Sequence, residues 1–415
     1  MLVKIRTLSC GALLALCCTG PGALAQNADV IHWLTSGSES KAIGVLAKEY
    51  KKRGGTWVDN AMVGSETARS AASSRIAGGN PPAAMYSPLG GRMSVLLEND
   101  LLVNLDDLAK TGNWNANLPL LVNQKKQSNG HVIATPVGIH GVNWMFYSAK
   151  IFSDLKLEPP KTWDEFFVVA DKIKAAGYIP LAQGGQPWQE SILFLNVMAG
   201  VGGKDFYRKV LVGRDAKLAS SEPMVRSFDV FRRLTRYVDA GSPNRKWNDT
   251  SVLIQNNKAA MQIIGDWAKG EFNAANRVLG KDYGCVLSPG NADTYIFTVD
   301  SFVFPKASNK TGATDAQHKL ATLIMDPAVQ LEYSRAKGSI PARLDVDVSS
   351  LDACAQLGRK TMAVTGNQLP NNALAFTPDV EGQINDLLTK FWNTPAMTSA
   401  QAAKQYAGII ASVKH

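Results

Sequence analysis

Aromatic side chains recur in this chain next to acids, amides and lysine, at the ends of apolar runs. Trp33 lies at the end of the run 30–34 with Glu39 beyond it, and Tyr86 and Ser87 follow 83–85. Trp188 comes after the Gly184-Gly185 turn, Asp266 and Trp267 lie in KAAMQIIGDWAKG, Asp300 in VDSFVFPKA and Lys337 in AKGSIPAR. An indole is a large rigid apolar plate, and a hydrogen bond to a charged group contributes roughly 1.5–3 kcal/mol. A sugar ring has an apolar C–H face and a hydroxyl rim, so plates combined with planar or ionic polar groups suit a saccharide. Micromolar binding requires about 8 kcal/mol, which several such contacts supply.

The same acids admit other chemistry. A glycosidase needs two carboxylates across the scissile bond, and Glu39 with Asp300 or Asp266 supplies such a pair in principle, but no nucleophile elbow or recognisable acid/base motif accompanies them. Asp164 and Glu165 follow Thr162 at the start of a helical pattern, where carboxylates favour the helix dipole, so they need no catalytic role. His140, between Gly138 and Gly141, suits a hinge, a satisfied buried position or a ligand contact. Trp57, Trp114, Trp163, Trp247 and Trp392 are expected in cores or helix staples. With no CxxC or HExxH, and with His32, His131, His140, His318 and His415 lacking metal-ligand spacing, neither a metal nor a cofactor is expected.

Hydrophobic periodicity indicates the elements that position these residues. The run 30–34 reads as a buried strand. A helix with Ile43, Leu46, Ala47 and Tyr50 on one face follows, with Ser38 as its expected N-cap. Strand 56–63, a Ser/Ala-rich helix ending at Ala77 and a strand at 83–86 continue an alternation that implies a parallel α/β sheet. Further strands are expected at 131–139, 142–147 and 178–182, and helices from 162 and over 188–200, 222–240, 251–262, 379–391 and 399–413. In open α/β sheets ligands bind beyond the carboxyl ends of strands, where the aromatic and ionic residues sit. No linker divides the chain into two clean halves, which implies two α/β lobes crossed several times by the chain.

The N-terminus reads as a secretory leader: Lys4 and Arg6, an apolar run 8–18, then Ala23-Leu24-Ala25. Cleavage after Ala25 is expected, and with it a periplasmic protein. Cys285 and Cys354 remain; an oxidising compartment permits a bond between them, and their separation leaves open whether the side chains meet. The 415 residues, 45% hydrophobic, are enough for two cores. The formal charge of +9 falls by two with the leader. The densest basic stretches, Lys51-Lys52-Arg53 and Arg232, Arg233 and Arg236, lack interleaved aromatics, so they read as solvated helix faces and no nucleic-acid partner is expected.

Seven stretches in order resemble the periplasmic solute-binding proteins of ABC sugar importers, in the branch with glucose/mannose-binding proteins: HWLTSGSE (32–39), GGNPP (78–82), TPVGIHGVNWMFY (135–147), LEPPKTWDEF (157–166), AAMQIIGDWAKG (259–270), DSFVFPK (300–306) and KGSIPAR (337–343). The resemblance implies an α/β two-lobe periplasmic binding protein fold with a multi-crossover hinge and an extra C-terminal helical region. The expected lobes are 26–140 with 300–345, and 141–299 with 346–415. It further implies a monomer that closes over a mono- or short oligosaccharide and presents it to a membrane permease; an exported hydrolase, or a non-sugar solute on the same fold, is the alternative. In those terms Trp33 and Trp267 stack on the ring, Glu39, Asp300 and Lys337 bind hydroxyls, His140 lies near the crossover, and Tyr86, Trp188, Asp266 and Asn372 complete the site. The chain departs from the glucose pattern at Leu34, at Tyr86-Ser87-Pro88 and at Asn371-Asn372, where that pattern has a second Trp, a Lys, Gln or His, and a late His.

Overall fold

The computed structural model describes residues 27–307 and 312–413. The leader expected over 1–25, its cleavage after Ala25, and His415 lie outside the described residues.

Two sheets organise the chain. The larger has strands in the order Ile340–Pro341, Ala134–Gly141, Tyr295–Val303, Ala84–Tyr86, Asn27–His32, Thr56–Ala61, with Gln368–Pro370 also paired to Tyr295–Val303. Asn27–His32 pairs in parallel with Thr56–Ala61 and Ala84–Tyr86, as the strand–helix alternation implies. The smaller has the order Tyr283–Leu287, Trp144–Ser148, Ala259–Ile264, Ile179–Leu181. The chain passes from the larger sheet to the smaller between Gly141 and Trp144 and returns between Leu287 and Tyr295.

The two cores divide along the smaller sheet. One of its faces, with Phe146 and Tyr283, joins the core around the larger sheet. Its other face, with Met145, Leu181, Met261 and Ile263, packs with the helices Trp163–Ala175, Pro187–Leu211, Glu222–Leu234, Pro378–Asn393 and Ser399–Ser412. Trp57, Trp114 and Trp163 are buried, and Trp247 and Trp392 pack partly buried against the cores.

Several local expectations change. The helix expected over 251–262 is a shorter helix, Trp247–Gln255, followed by a turn with Asn257 in the left-handed region (φ 54°) and then the strand Ala259–Ile264. Every residue of that strand is buried, and a strand buried on both faces loses the alternation that marks strands. The first helix is Gly37–Lys52, capped by Ser36 rather than Ser38.

Cys285, on the edge strand of the smaller sheet, is disulfide-bonded to Cys354 on the helix Ala353–Ala363, with Cα atoms 6.3 Å apart. That helix lies against Tyr295 and Trp144, where a side-chain carbon on Gly358 would come within 3.1 Å of the tyrosine hydroxyl. Beside it, Lys269 forms an ion pair with Asp352 at 2.9 Å. A covalent loop of this length restricts the unfolded chain by roughly 4 kcal/mol in the loop-entropy account. Cys354→Ser is therefore expected to lower unfolding stability by about 2–4 kcal/mol in urea titrations under oxidising conditions. Equal midpoints for variant and parent would contradict the constraint.

Candidate functional site

The strand Ala134–Gly141 places His140 opposite Thr298 of the neighbouring strand, Tyr295–Val303, whose register shifts between Asp300 and Ser301. Such a bulge re-aims the side chain beside it, and Asp300 meets the imidazole: His140 Nε2 lies 2.9 Å from Asp300 Oδ2. The other ring nitrogen, Nδ1, bonds Asp266 Oδ1. Asp266 follows the strand Ala259–Ile264 and is locked to the crossover. Its Oδ2 accepts from Gly141 N–H at 3.0 Å, and its own N–H donates to Gly141 O at 3.0 Å.

His140, Asp266 and Asp300 are each at most 3% exposed. Burial opposes the charged imidazole, but Asp300 and Asp266 outweigh it and raise the pKa above 6.5. Burial likewise opposes the Asp300 carboxylate, and His140, then Lys337 and Tyr86, bring it down to about 2. Each ring nitrogen faces a carboxylate oxygen, so the geometry favours the doubly protonated ring, which donates from both nitrogens. Tyr333 donates to Asp300 Oδ2 at 3.3 Å, and Tyr86 also hydrogen-bonds Asp300. Burial first, then the Asp300 charge, holds the Tyr86 phenol well above its ordinary range.

The helix Pro327–Lys337 carries Tyr333 and Lys337 one turn apart on one face. It ends at Gly338, φ 91°, where a Cβ would stand 2.5 Å from Asp266 O, so only glycine permits the approach. Lys337 Nζ lies 3.6 Å from Glu39 Oε1 and 5.9 Å from the Trp267 ring. Glu39 also serves its own helix. Its Oε2 accepts from Ser36 N–H (3.1 Å) and Thr35 N–H (3.2 Å), the carboxylate half of a capping box.

Trp33 is set by the turn after its strand. Leu34 N–H donates to His32 Nδ1 at 3.2 Å, leaving Nε2 to donate to Asp59 at 2.8 Å. The Trp33 ring meets Tyr86 edge-on at 4.6 Å. Trp267 meets His140 at 5.5 Å and Trp188 at 6.0 Å. Trp33, Glu39, Tyr86, His140, Trp188, Asp266, Trp267, Asp300 and Lys337 thus form one contact network. Asn372 stands apart from it. Its Nδ2 donates at 2.9 Å to Ser191, which lies one turn beyond Trp188 on the same helix.

Sequence reasoning misses Tyr333 and Arg69. Tyr333 is detectable as the residue one helical turn before Lys337. Arg69 has no signal in a Ser/Ala-rich stretch; its guanidinium lies 5.9 Å from the Trp33 ring, and burial, then Arg92, lowers its pKa to about 10. Among the described residues no group of three or more His, Cys, Asp or Glu could hold a metal ion, and no helix is long and apolar enough to cross a membrane.

Residues 35–330 match the bacterial extracellular solute-binding protein family, and the chain belongs to it. It is 34% identical to a probable sugar-binding periplasmic protein of Rhizobium meliloti, over 93% of this chain and 92% of that one. A protein of the same description from Brucella melitensis is 33% identical, over 100% of this chain and 99% of its own. Among solved structures, a chitin oligosaccharide binding protein aligns with TM-score 0.77 at 17% identity, over 92% of this chain and 98% of its own. The maltose-bound T. maritima MalE3 aligns with TM-score 0.75 at 18% identity, over 93% and 99%. The fold is the two-lobe periplasmic binding protein fold, and the family binds solutes and does not catalyse reactions.

Because the pKa of His140 is raised on folding, its charge stabilises the fold fully below the unfolded value near 6.5, and this contribution is lost as pH rises through the folded value. His140→Gln is therefore expected to destabilise the protein most between about pH 4 and 6.5, with the gap to the parent narrowing at higher pH. Urea midpoints measured across pH test this; a gap that widens toward alkaline pH would remove the imidazolium from the site.

Proposed function

We propose that this chain binds a mono- or short oligosaccharide in the periplasm, as a monomer without cofactor, and delivers it to the membrane permease of an ABC importer by lobe closure. The observation that carries this reading is the single network in which groups on the larger sheet and its helices (Trp33, Glu39, Tyr86, Asp300, Lys337) meet groups that follow the smaller sheet (Trp188, Asp266, Trp267). The names of the Rhizobium and Brucella relatives support it.

In this reading Trp33 and Trp267 stack on the sugar ring, and Glu39, Asp266, Asp300 and Lys337 bind hydroxyls. His140 holds the two aspartates in place, Tyr86 and Trp188 border the ring, and Asn372 belongs to the outer edge of the site through its bond to Ser191. The lobes are those expected, 26–140 with 300–345 and 141–299 with 346–415, the first extended to include the whole strand Tyr295–Val303. The leader is removed after Ala25. A sugar that touches both lobes only when they are together has greater affinity for the closed state and shifts the equilibrium toward it.

Mass spectrometry of ligand co-purifying from the native compartment identifies the sugar, and calorimetry then measures its affinity. Trp33→Ala is expected to weaken binding at least tenfold, and small-angle scattering to show compaction on adding sugar. An unchanged constant would remove Trp33 from the site, and a saccharide panel with neither heat nor compaction would overturn the reading.

A further inference from the structure

A cavity of about 270 Å³ lies away from the network, between the short helix Leu120–Lys125, the end of the long helix Pro187–Leu211, and the segment 365–375. Its apolar wall includes Leu120, Leu211, Pro370 and Leu374. Leu120 and the bordering Val212 are more than half exposed, so large apolar side chains stand open beside it.

Its charged lining is one-signed. Lys125, Arg208 and Arg214 contribute three cations, and among the described residues no carboxylate lines the cavity. Arg208 is paired, with Asp205 at 2.9 Å and Gly366 O at 2.7 Å. Among the described residues neither Lys125 nor Arg214 has a carboxylate within ion-pair distance. Burial, then the nearby Arg214 charge, holds the Lys125 ammonium below its ordinary value. The neighbouring acid, Asp215, is engaged with Leu218 N–H at 2.9 Å. Arg214 itself is held at φ 55°, in the left-handed region that costs a side-chain-bearing residue, with its guanidinium 5.6 Å from the Phe376 ring. Its Nη1 is buried with no hydrogen-bond partner. A buried charged donor without an acceptor is costly, and Lys125 and Arg214, both half-buried, repel one another. An anion seated between them would relieve both costs.

We propose that this cavity is a second ligand site, for a small organic anion with a hydrocarbon body. The head, a carboxylate or phosphate, is held by Lys125 and Arg214, and the tail lies along Leu120, Leu211, Pro370 and Leu374. The cavity, about 270 Å³ and open beside Leu120 and Val212, has room for a short hydrocarbon chain with a small head group. The site is independent of the sugar reading, since no residue of the network lines it.

The test is calorimetry on the full mature chain, with octanoate and octyl phosphate as probes and octanol as the uncharged control. Saturable binding of either anion is expected, the tighter one identifying the head group, with octanol at least tenfold weaker and affinity falling as salt rises. Arg214→Gln and Lys125→Gln are each expected to weaken binding at least tenfold. Val212→Trp, at an exposed position bordering the cavity, is expected to abolish binding with the melting temperature kept, which separates occlusion from misfolding. Trp33→Ala leaves the probe affinity within twofold. Absence of saturable binding by both anions, equal binding of octanol, indifference to both charge substitutions, or loss of binding in Trp33→Ala would overturn the proposal.

Discussion

The site depends on an imidazole held between two buried carboxylates. Three ionisable groups removed from water are tolerated only when each is paired and hydrogen-bonded, and here each is: His140 bonds Asp266 and Asp300, Asp266 also takes the Gly141 N–H, and Asp300 also takes Tyr333. That requirement brings together the end of one strand, a bulge in its neighbour and the turn that closes a strand of the other sheet. Removing His140 leaves two buried carboxylates without the ring that bonds both, so the imidazole ties the crossover to both sheets.

The surrounding groups inherit their positions from it. Tyr333 and Lys337 share a helix face because they are one turn apart, and the glycine after Lys337 lets that helix end close to Asp266 O. Trp267 follows Asp266 directly and is held between His140 and Trp188. On the opposite side, Glu39 divides its two oxygens, one capping its own helix and the other near Lys337. A carboxylate already tied to backbone donors has lost its rotamer freedom, so its remaining oxygen is preorganised for a partner.

Ties of two kinds surround the smaller sheet, one within the proposed second lobe and one between the two lobes. The Cys285–Cys354 bond is covalent and stands beside the Lys269–Asp352 pair. Ser38, by contrast, donates its N–H and Oγ–H to Glu271 at 2.9 and 2.6 Å, and Lys337 approaches Trp267 through space. In the proposed transport cycle, opening has to preserve the first and release the second.

Much of the fold and site is legible in the sequence because the signals are local. Apolar runs ending in Trp with an acid, a glycine after Lys337, and Thr162 before Asp164 and Glu165 each report a conformation set by neighbours within a turn. The stretch 259–264 reads wrongly as helix because burial on both faces removes the alternation that marks strands, leaving an apolar run compatible with either element. Whether Cys285 meets Cys354, that Asp266 and Asp300 share one imidazole, and that Arg69 approaches Trp33 depend on pairs separated by tens to hundreds of residues. The sequence by itself determined most of the element types, the leader-like N-terminus and the residues suited to a polyhydroxylated ligand. Only tertiary structure decided which of those residues touch and which charges survive burial, because both depend on sheet order and register, which bring distant residues together in three dimensions.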